Sequence, residues 1–152
     1  MLAPLGHGAT CRLRGAHTAN GLTPRRFHVL GLLHDRGPLA QTALAAETDT
    51  AASVLVTLLN PLENEGLVAR TRDPRDRRRH LVVLTEAGQR RLRAAVGAQR
   101  EAEDDLFRSL DGSQRPRLTQ LLALVRDDLT DGGEHCGTPA FLDRKAPQGG
   151  PT

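Results

Sequence analysis

Six arginines and two aspartates fall within ten consecutive residues, from Arg70 to Arg79. Short runs of β-forming residues stand on both sides of this arginine block, Leu67-Val68-Ala69-Arg70 before it and Leu81-Val82-Val83-Leu84 after it. Asp73-Pro74, inside the block, is a turn signal. Such a block is either a solvated turn or a contact surface for an anionic partner. The pattern therefore predicts a β-hairpin with a cationic loop.

Three amphipathic segments precede this hairpin. Thr23-Pro24 is a helix start and Gly37-Pro38 a helix stop, which predicts a first helix at about residues 24–36. A second, short helix is expected at about residues 40–47, and a third at about 51–65, ending at Gly66. The polar turn between them, residues 47–50, offers two candidate N-caps. This spacing is a helix-turn-helix pattern.

The third helix has two different faces. Its buried stripe is predicted to consist of Leu55, Leu58, Leu59 and Leu62. The other face is free to meet a partner, and its candidate contact residues are Thr50, Ala52, Ser53, Val54 and Thr57. Pro61 lies inside this helix and removes the amide that would pair with the Thr57 carbonyl, which predicts a kink.

Two further helices follow the hairpin. A long helix is predicted to begin at Thr85-Glu86-Ala87-Gly88, and a last helix to follow the Asp111-Gly112-Ser113 break. Their apolar faces exceed what the three preceding helices and the hairpin can cover, so we expect them to pack against a second copy of the chain. The expected dimerisation residues are Leu106, Leu110, Leu118, Leu122, Val125 and Leu129.

The two ends of the chain carry weaker signals. Leu2, Leu5 and Leu13 are the apolar positions of an N-terminal helix, but Pro4 and several glycines lower its propensity. A short or broken helix is therefore expected there. Residues 131–152 are rich in glycine and proline and are expected to form a flexible tail.

Helix, turn, helix and a hairpin with a cationic tip form the layout of a winged helix-turn-helix module. In such a module one helix enters the major groove, and the wing reaches the backbone or the minor groove. Aromatic residues make up only 2% of the chain, with no Trp or Tyr, so it has no platform for stacking single-stranded bases. The pattern therefore indicates double-stranded DNA as the partner.

The predicted fold class is mainly α with a small β-hairpin wing, a winged helix-turn-helix joined to a helical dimerisation region. An N-terminal dimerisation segment occupies residues 1–22, and the winged DNA-binding domain occupies residues 23–88. C-terminal dimerisation helices are expected at residues 89–130, before the tail at 131–152.

Other classes of function find no support in the sequence. It has no Gly-rich phosphate loop, nucleophile elbow, H-E-x-x-H motif or paired-carboxylate context, so we expect no enzyme activity and no cofactor. Cys11 and Cys136, with six histidines that lack ligand spacing, predict no metal site, and the histidines are expected at the surface or in caps. The absence of a leader and of an apolar run of about 18 residues predicts a cytoplasmic location and no membrane partner.

The residues of the winged module also resemble a known family. The helix-turn-helix carries Leu22-Thr23-Pro24 with Phe27, then Ser53-Val54-Leu55-Val56 with Leu58-Leu59-Asn60 and Leu62-Glu63. The wing carries Gly66-Leu67-Val68 with Arg70, then Asp73-Pro74, Asp76-Arg77-Arg78 and Leu84-Thr85-Glu86-Ala87-Gly88. These residues resemble the MarR family of bacterial transcription regulators over about residues 22–95. The wing run through Leu84-Thr85 is the most specific part of the match.

The resemblance implies a homodimer whose first and last helices interlock and whose two winged modules bind a pseudo-palindromic operator. It implies a repressor that a small ligand or an oxidant releases. By position, Arg78 matches the family's wing-tip arginine that enters the minor groove, and Asp76 matches the acid that orients it. The remaining arginines of the block are then expected to neutralise phosphates: Arg70, Arg72, Arg75, Arg77 and Arg79.

The recognition helix departs from the family pattern. Many relatives carry basic or amide residues on the groove face, whereas this helix has no Arg, Lys, Asn or Gln before Asn60. Bidentate reading of bases is therefore largely absent. Hydroxyl contacts from Thr50, Ser53 and Thr57 remain, with apolar contacts from Ala52 and Val54 to thymine methyls. We expect weak base specificity from the helix and a larger share from the wing and DNA shape.

Three further hypotheses concern partners and regulation. The resemblance implies a crevice for a small aromatic effector between the dimerisation helices and the winged module, with Arg14, His17 and His28 as candidates to meet a carboxylate. Cys11 and Cys136 could form a thiol-based redox sensor, although no tyrosine or basic cluster activates Cys11. The neutral recognition face also fits a winged-helix protein-interaction module without sequence-specific DNA binding.

Overall fold

The computed structural model describes residues 2–74, 76 and 79–131. This part of the chain is mainly helical, with one small antiparallel sheet, which confirms the predicted fold class. In chain order the elements are α1 (Leu2–Ala19), α2 (Pro24–Arg36), β1 (Leu39–Ala40), α3 (Gln41–Glu47), α4 (Ala52–Asn64), β2 (Val68–Arg72), β3 (His80–Leu84), α5 (Glu86–Leu106) and α6 (Gln114–Asp131).

The hydrophobic core lies inside the winged module, between helices α2 to α4 and the sheet. From α4, Leu55, Leu59 and Leu62 are at most 1% exposed, whereas Leu58 is only half-buried. The predicted stripe is therefore confirmed at three of its four positions. The other main core side chains are Leu22, Phe27, Val29, Leu30, Leu33, Leu44, Leu67, Val68, Val82 and Leu92.

The sheet has three strands in the order β1-β3-β2, with antiparallel pairing throughout. The predicted hairpin is formed by β2 and β3, in which Arg70 lies opposite Val82 and Arg72 lies opposite His80. The third strand, Leu39–Ala40, was not expected, and it takes Ala40 out of the predicted second helix. Two residues are too few to show the alternation that marks a strand in a sequence.

The start of α2 agrees with its prediction, whereas the start of α4 does not. The Thr23 side chain accepts a hydrogen bond from the Arg26 amide, and Pro24 is the first helical residue. The N-cap of α4 is Ala51, which makes no side-chain cap. The candidate caps serve the preceding turn instead, because Thr48 donates to the Leu44 carbonyl and Thr50 donates to the Thr48 carbonyl.

The prediction of a short or broken N-terminal helix is wrong, since α1 is continuous over 18 residues. Pro4 lies in the first turn, where a missing amide removes no hydrogen bond within the helix. The glycines still disfavour the helix by about 1 kcal/mol each. Packing of α1 along α5 offsets that penalty, and an ion pair of 2.8 Å between Arg12 and Asp105 joins the two helices.

The wing joins α5 through a compact junction at Thr85. The Thr85 amide donates to the Leu67 carbonyl at 3.1 Å, and its hydroxyl donates to the Gly66 carbonyl at 2.6 Å. The same hydroxyl oxygen accepts from the Gly88 amide at 3.0 Å and so caps α5. Gly88 lies so close to β2 that a Cβ atom there would overlap the Leu67 carbonyl oxygen. The fixed hairpin therefore continues directly into the long helix.

Residues 107–113 separate α5 from α6, and the predicted break at residues 111–113 is the last part of this segment. The Asp111 carboxylate accepts from the Ser113 hydroxyl at 2.6 Å and from the amides of Gln114 at 2.9 Å and Ser113 at 2.8 Å. These bonds, the Ser113 hydroxyl first, hold the pKa of Asp111 below its ordinary value. The side chain of Leu129 and the predicted tail from residue 132 onward lie outside the described residues.

Helix α6 exposes an apolar face. Leu122 and Val125 are 50% and 52% exposed, and Leu121 and Leu124 are also exposed. Leu106, Leu110 and Leu118 are half-buried, because the start of α6 folds back on the end of α5.

Within the described part of the chain, no single helix has the length and apolarity of a membrane span. Only α3 and α4 together, bent by 108°, reach those values.

Candidate nucleic-acid interface

The exposed face of α4 carries most of the predicted contact residues. Ala52, Ser53, Val54 and Thr57 are exposed, whereas Thr50 precedes the helix and is half-buried. The Thr57 hydroxyl donates to the Val54 carbonyl at 2.7 Å. Its hydrogen is therefore engaged within the helix, and its oxygen remains an acceptor. Since Thr50 is bonded to the Thr48 carbonyl in the same way, both threonines can accept from a base amine.

The first turn of α4 is open to an anion. The N-cap, Ala51, has no side-chain oxygen to occupy the first amides, and the turn contains no acidic residue. Free amides and the helix dipole together favour a phosphate oxygen at such a helix start. The small side chains of Ala51, Ala52 and Ser53 are exposed there, so a DNA backbone can approach closely.

The described part of the wing carries two arginines that are free to contact DNA. The Asp73 amide donates to the Arg79 carbonyl at 2.9 Å, which closes the hairpin. The Arg79 amide donates to the Asp76 carbonyl at the same distance. Arg72 and Arg79 are exposed, and neither forms an ion pair with another described residue. Arg75, Arg77 and Arg78 lie outside the described residues, so their roles remain predictions.

Arg70 differs from the other described wing arginines because helix α4 holds its side chain. Its Nε atom lies 3.4 Å from a carboxylate oxygen of Glu63. Its Nη2 donates to the Asn60 side-chain oxygen, also at 3.4 Å. Asn60 and Glu63 are three residues apart and share one face of α4. The sequence did not reveal this contact, because it exists only once the hairpin folds back over the helix.

A second charged cluster joins the winged module to the long helices. The Glu65 carboxylate, just after α4, lies 3.3 Å from Arg26 of α2 and 3.8 Å from Arg91 of α5. Arg91 also donates to the Asn20 carbonyl at 3.0 Å, at the end of α1. A crevice of about 630 Å³ opens beside this cluster, lined by Ala19, Asn20, Gly21, Glu65, Leu67, Ala87, Arg90, Arg91 and Ala94.

The three candidate effector residues do not come together. Arg14 is exposed on α1, and His28 is half-buried in a separate cleft of about 270 Å³ with Arg25 and Asp49. Burial lowers the pKa of His28. His17 is buried, which contradicts the expectation of surface or capping histidines. Its Nε2 lies 2.9 Å from the Gln99 side-chain oxygen, and its ring stacks on Phe27 at 4.1 Å.

The remaining chemistry-bearing residues are scattered. Cys11 is exposed on α1, and its Sγ lies 3.5 Å from Nε2 of His7. Cys136 falls outside the described residues. Across residues 2–74, 76 and 79–131, no group of three His, Cys, Asp or Glu side chains could hold a metal ion.

Comparison with known proteins agrees with this arrangement. The MarR family model matches residues 20–79. The transcriptional regulator HosA of Escherichia coli O111:H- is 30% identical over 109 residues, which cover 72% of this chain and 81% of HosA. That relative is a named transcriptional regulator, in agreement with the prediction that the chain is not an enzyme.

Solved structures share the fold. A MarR-family transcriptional regulator from Rhodococcus sp. RHA1 is 28% identical with a TM-score of 0.64, covering 82% of this chain and 88% of that one. A mutant of S. aureus MepR bound to an oligodeoxyribonucleotide has a TM-score of 0.66 at 22% identity, covering 84% and 94%. The open helix start, the cationic wing and these similarities lead to one conclusion: the chain belongs to the MarR family of winged-helix, DNA-binding transcriptional regulators.

Proposed function

We propose that this regulator binds duplex DNA with α4 in the major groove and the wing over the adjacent backbone and minor groove. The observation that carries the proposal is the combination of an uncapped, acid-free first turn on α4 with the guanidiniums of Arg72 and Arg79, which form no ion pair with any described residue. Both features favour phosphate contacts. The MepR complex with an oligodeoxyribonucleotide supports such a use of this fold.

Base specificity is proposed to come mainly from the wing and from DNA shape. The exposed α4 positions offer hydroxyls and methyl groups, which discriminate bases less strongly than bidentate arginine or amide contacts. By resemblance, Arg78 is proposed to enter a narrow, A·T-rich minor groove, with Asp76 as its orienting acid. Arg75 and Arg77 are proposed to neutralise phosphates.

A homodimer is proposed to form through α6, the end of α5 and α1. Leu122 and Val125 are about half-exposed in a single chain, and Leu121 and Leu124 extend the same apolar surface. An apolar surface of this kind is usually covered by a partner. A two-fold dimer would present two winged modules to a pseudo-palindromic site.

The dimer is proposed to act in the cytoplasm as a repressor, because a protein bound to a promoter blocks access to that DNA. We propose the crevice beside Arg90 and Arg91 as the place for a small aromatic acid. A carboxylate there would compete with Glu65 for Arg91, while Ala87 and Ala94 would contact the ring. That competition would disturb the link between α4 and α5 and weaken DNA binding.

A salt-titrated gel-shift experiment tests the proposal. The probe is the DNA upstream of the protein's own coding region, compared with a random duplex of equal length. We expect tighter binding to the upstream DNA and a steep linear fall of log affinity with log salt, because each neutralised phosphate releases counterions. The absence of both would favour a protein-interaction module instead. The neutral face of α4 is the observation that keeps this second candidate open.

A further inference from the structure

Arg70 and Arg72 form a natural pair for comparison within one strand. They are two residues apart, so their side chains leave the same face of β2, as does that of the buried Val68. Both side chains are exposed, and both belong to the arginine block. Only Arg70 has partners among the described residues, namely Asn60 and Glu63 of α4. The two arginines are therefore alike in type and strand face but differ in what holds them.

The contact joins the two elements that must reach DNA together. Glu63 lies near the end of α4, and Arg70 lies in the middle of the strand that leads to the wing tip. Glu63 and Arg70 have side chains of similar, partial exposure, 38% and 37%. A guanidinium that is bonded by a carboxylate and an amide oxygen at once has a restricted direction. Such a contact limits how the hairpin can tilt against the helix.

We propose that Glu63 and Asn60 are positioning residues that hold Arg70 as a brace between the recognition helix and the wing. Arg70 then sets the angle between the two DNA-contacting elements, and the phosphate contacts of the wing begin at Arg72. This inference rests on the proposed function and revises one part of it, since Arg70 was expected to neutralise a phosphate.

The salt dependence of DNA binding separates a brace from a phosphate contact. Affinity for a random duplex is measured over a series of salt concentrations for wild type, Arg70→Gln and Arg72→Gln. Loss of one phosphate contact lowers the salt slope by about 0.9. We expect that decrease for Arg72→Gln and an unchanged slope for Arg70→Gln. A decrease of about 0.9 for Arg70→Gln would overturn the proposal.

Substitution of Glu63 tests the proposal more sharply than the salt slopes do. Glu63→Gln removes a negative charge, so a simple charge effect predicts tighter binding to DNA. The brace predicts binding that is weaker by about 1.5- to 5-fold, the range that corresponds to an exposed ion pair of about 0.2–1 kcal/mol. The double variant Glu63→Gln with Arg70→Gln should be no weaker than either single variant. Glu47→Gln is the matched control, because it also removes one carboxylate from an exposed ion pair, that with Arg36 of α2, and leaves the Glu63–Arg70 pair intact.

A measurement without DNA keeps this inference distinct from the proposed function. In the free protein, the Nε–H resonance of Arg70 should shift in Glu63→Gln and stay unchanged in Glu47→Gln. The same spectra show whether each variant is folded. If the resonance shifts but wild type binds no DNA, the proposed function fails. The contact between Arg70 and Glu63 is then structural only, and the positioning role of Glu63 and Asn60 is overturned. If the resonance does not shift, or if Glu63→Gln binds DNA more tightly than Glu47→Gln, the brace itself is refuted.

Discussion

The Thr85 hydroxyl accepts a 3.0 Å hydrogen bond from the Gly88 amide at the point where the wing becomes helix α5. The same hydroxyl donates to the Gly66 carbonyl at 2.6 Å, so one side chain caps the helix and closes the base of the hairpin. The wing is thereby attached to the helix that leads into the proposed dimer region. Two predictions on stability follow from this junction.

Replacement of Thr85 by alanine removes the cap and leaves the Gly88 amide without its partner. We expect the free energy of unfolding to fall by about 0.5–2 kcal/mol, the usual range for loss of an N-cap. Urea denaturation measures this change. Thr85→Ser keeps the hydroxyl and should retain most of the stability, whereas equal losses for serine and alanine would show that the methyl group, not the cap, matters.

Glycine-to-alanine substitution should have opposite effects at two positions of α5. At Gly97 an added Cβ meets nothing within 4 Å, so the higher helix propensity of alanine should stabilise by about 0.5–1 kcal/mol. At Gly88 the added Cβ overlaps the Leu67 carbonyl, and we expect a net destabilisation of about 1–3 kcal/mol. Thermal unfolding of both variants provides the comparison. Stabilisation by Gly88→Ala would contradict the close approach of α5 to β2.

Acid should destabilise the fold partly through His28. Burial lowers its pKa below the ordinary value of 6.5, and Arg25 and Asp49 line the same cleft. The unfolded chain therefore binds this proton more readily than the native one. Neutral His28 makes its full contribution to the free energy of unfolding above pH 6.5. That contribution is lost as the pH falls through the lower pKa of His28 in the native state. Urea unfolding at several pH values should show a shallower acid loss for His28→Gln than for wild type, and identical profiles would argue against this role.

The apolar surface of α6 predicts a dimer that a single charge can break. Val125→Glu places a carboxylate where the side chain is 52% exposed in one chain, so a monomer would tolerate it easily. In a dimer interface the unpaired charge is disfavoured, and the sedimentation mass should fall by half. Gln120→Glu adds the same charge at another exposed position of α6 and should leave the mass unchanged. A wild-type protein that already sediments as a monomer would contradict the dimer.

Arg78 and Arg75 should differ in their effect on DNA binding. If Arg78 enters the minor groove as the resemblance implies, Arg78→Ala should weaken binding several-fold more than Arg75→Ala, because a narrow groove concentrates negative potential. Fluorescence anisotropy with one operator duplex measures both variants. Equal losses would mean that the arginine block acts only as diffuse charge.

Local signals in the sequence were sufficient for the helix-turn-helix and the hairpin. Thr23-Pro24 and Gly37 fix α2 because caps act within a few residues of the chain. Signals that depend on tertiary contacts were missed. The continuity of α1 depends on packing against α5, and the burial of His17 depends on Gln99, which is distant in the sequence.

In the candidate site, too, local features follow from the sequence, whereas tertiary contacts do not. The exposed face of α4 follows from helical periodicity, and four of its five predicted contact residues are exposed. The attachment of Arg70 to Asn60 and Glu63 did not follow from composition, because an arginine within a cationic block looks like any other. The crevice near Arg91 also depends on how α1, α5 and the end of α4 meet.

Hydroxyl-radical footprinting tests the central claim most directly, namely that α4 and the wing of each subunit contact one duplex. The experiment uses wild type and Arg72→Gln on a duplex selected for binding. We predict two protected regions about 10 base pairs apart, or a multiple of that distance. Protection of the DNA backbone beside each region should weaken in the variant, because it lacks one phosphate contact of the wing. A single unpaired footprint, or protection that Arg72→Gln leaves unchanged, would contradict this account.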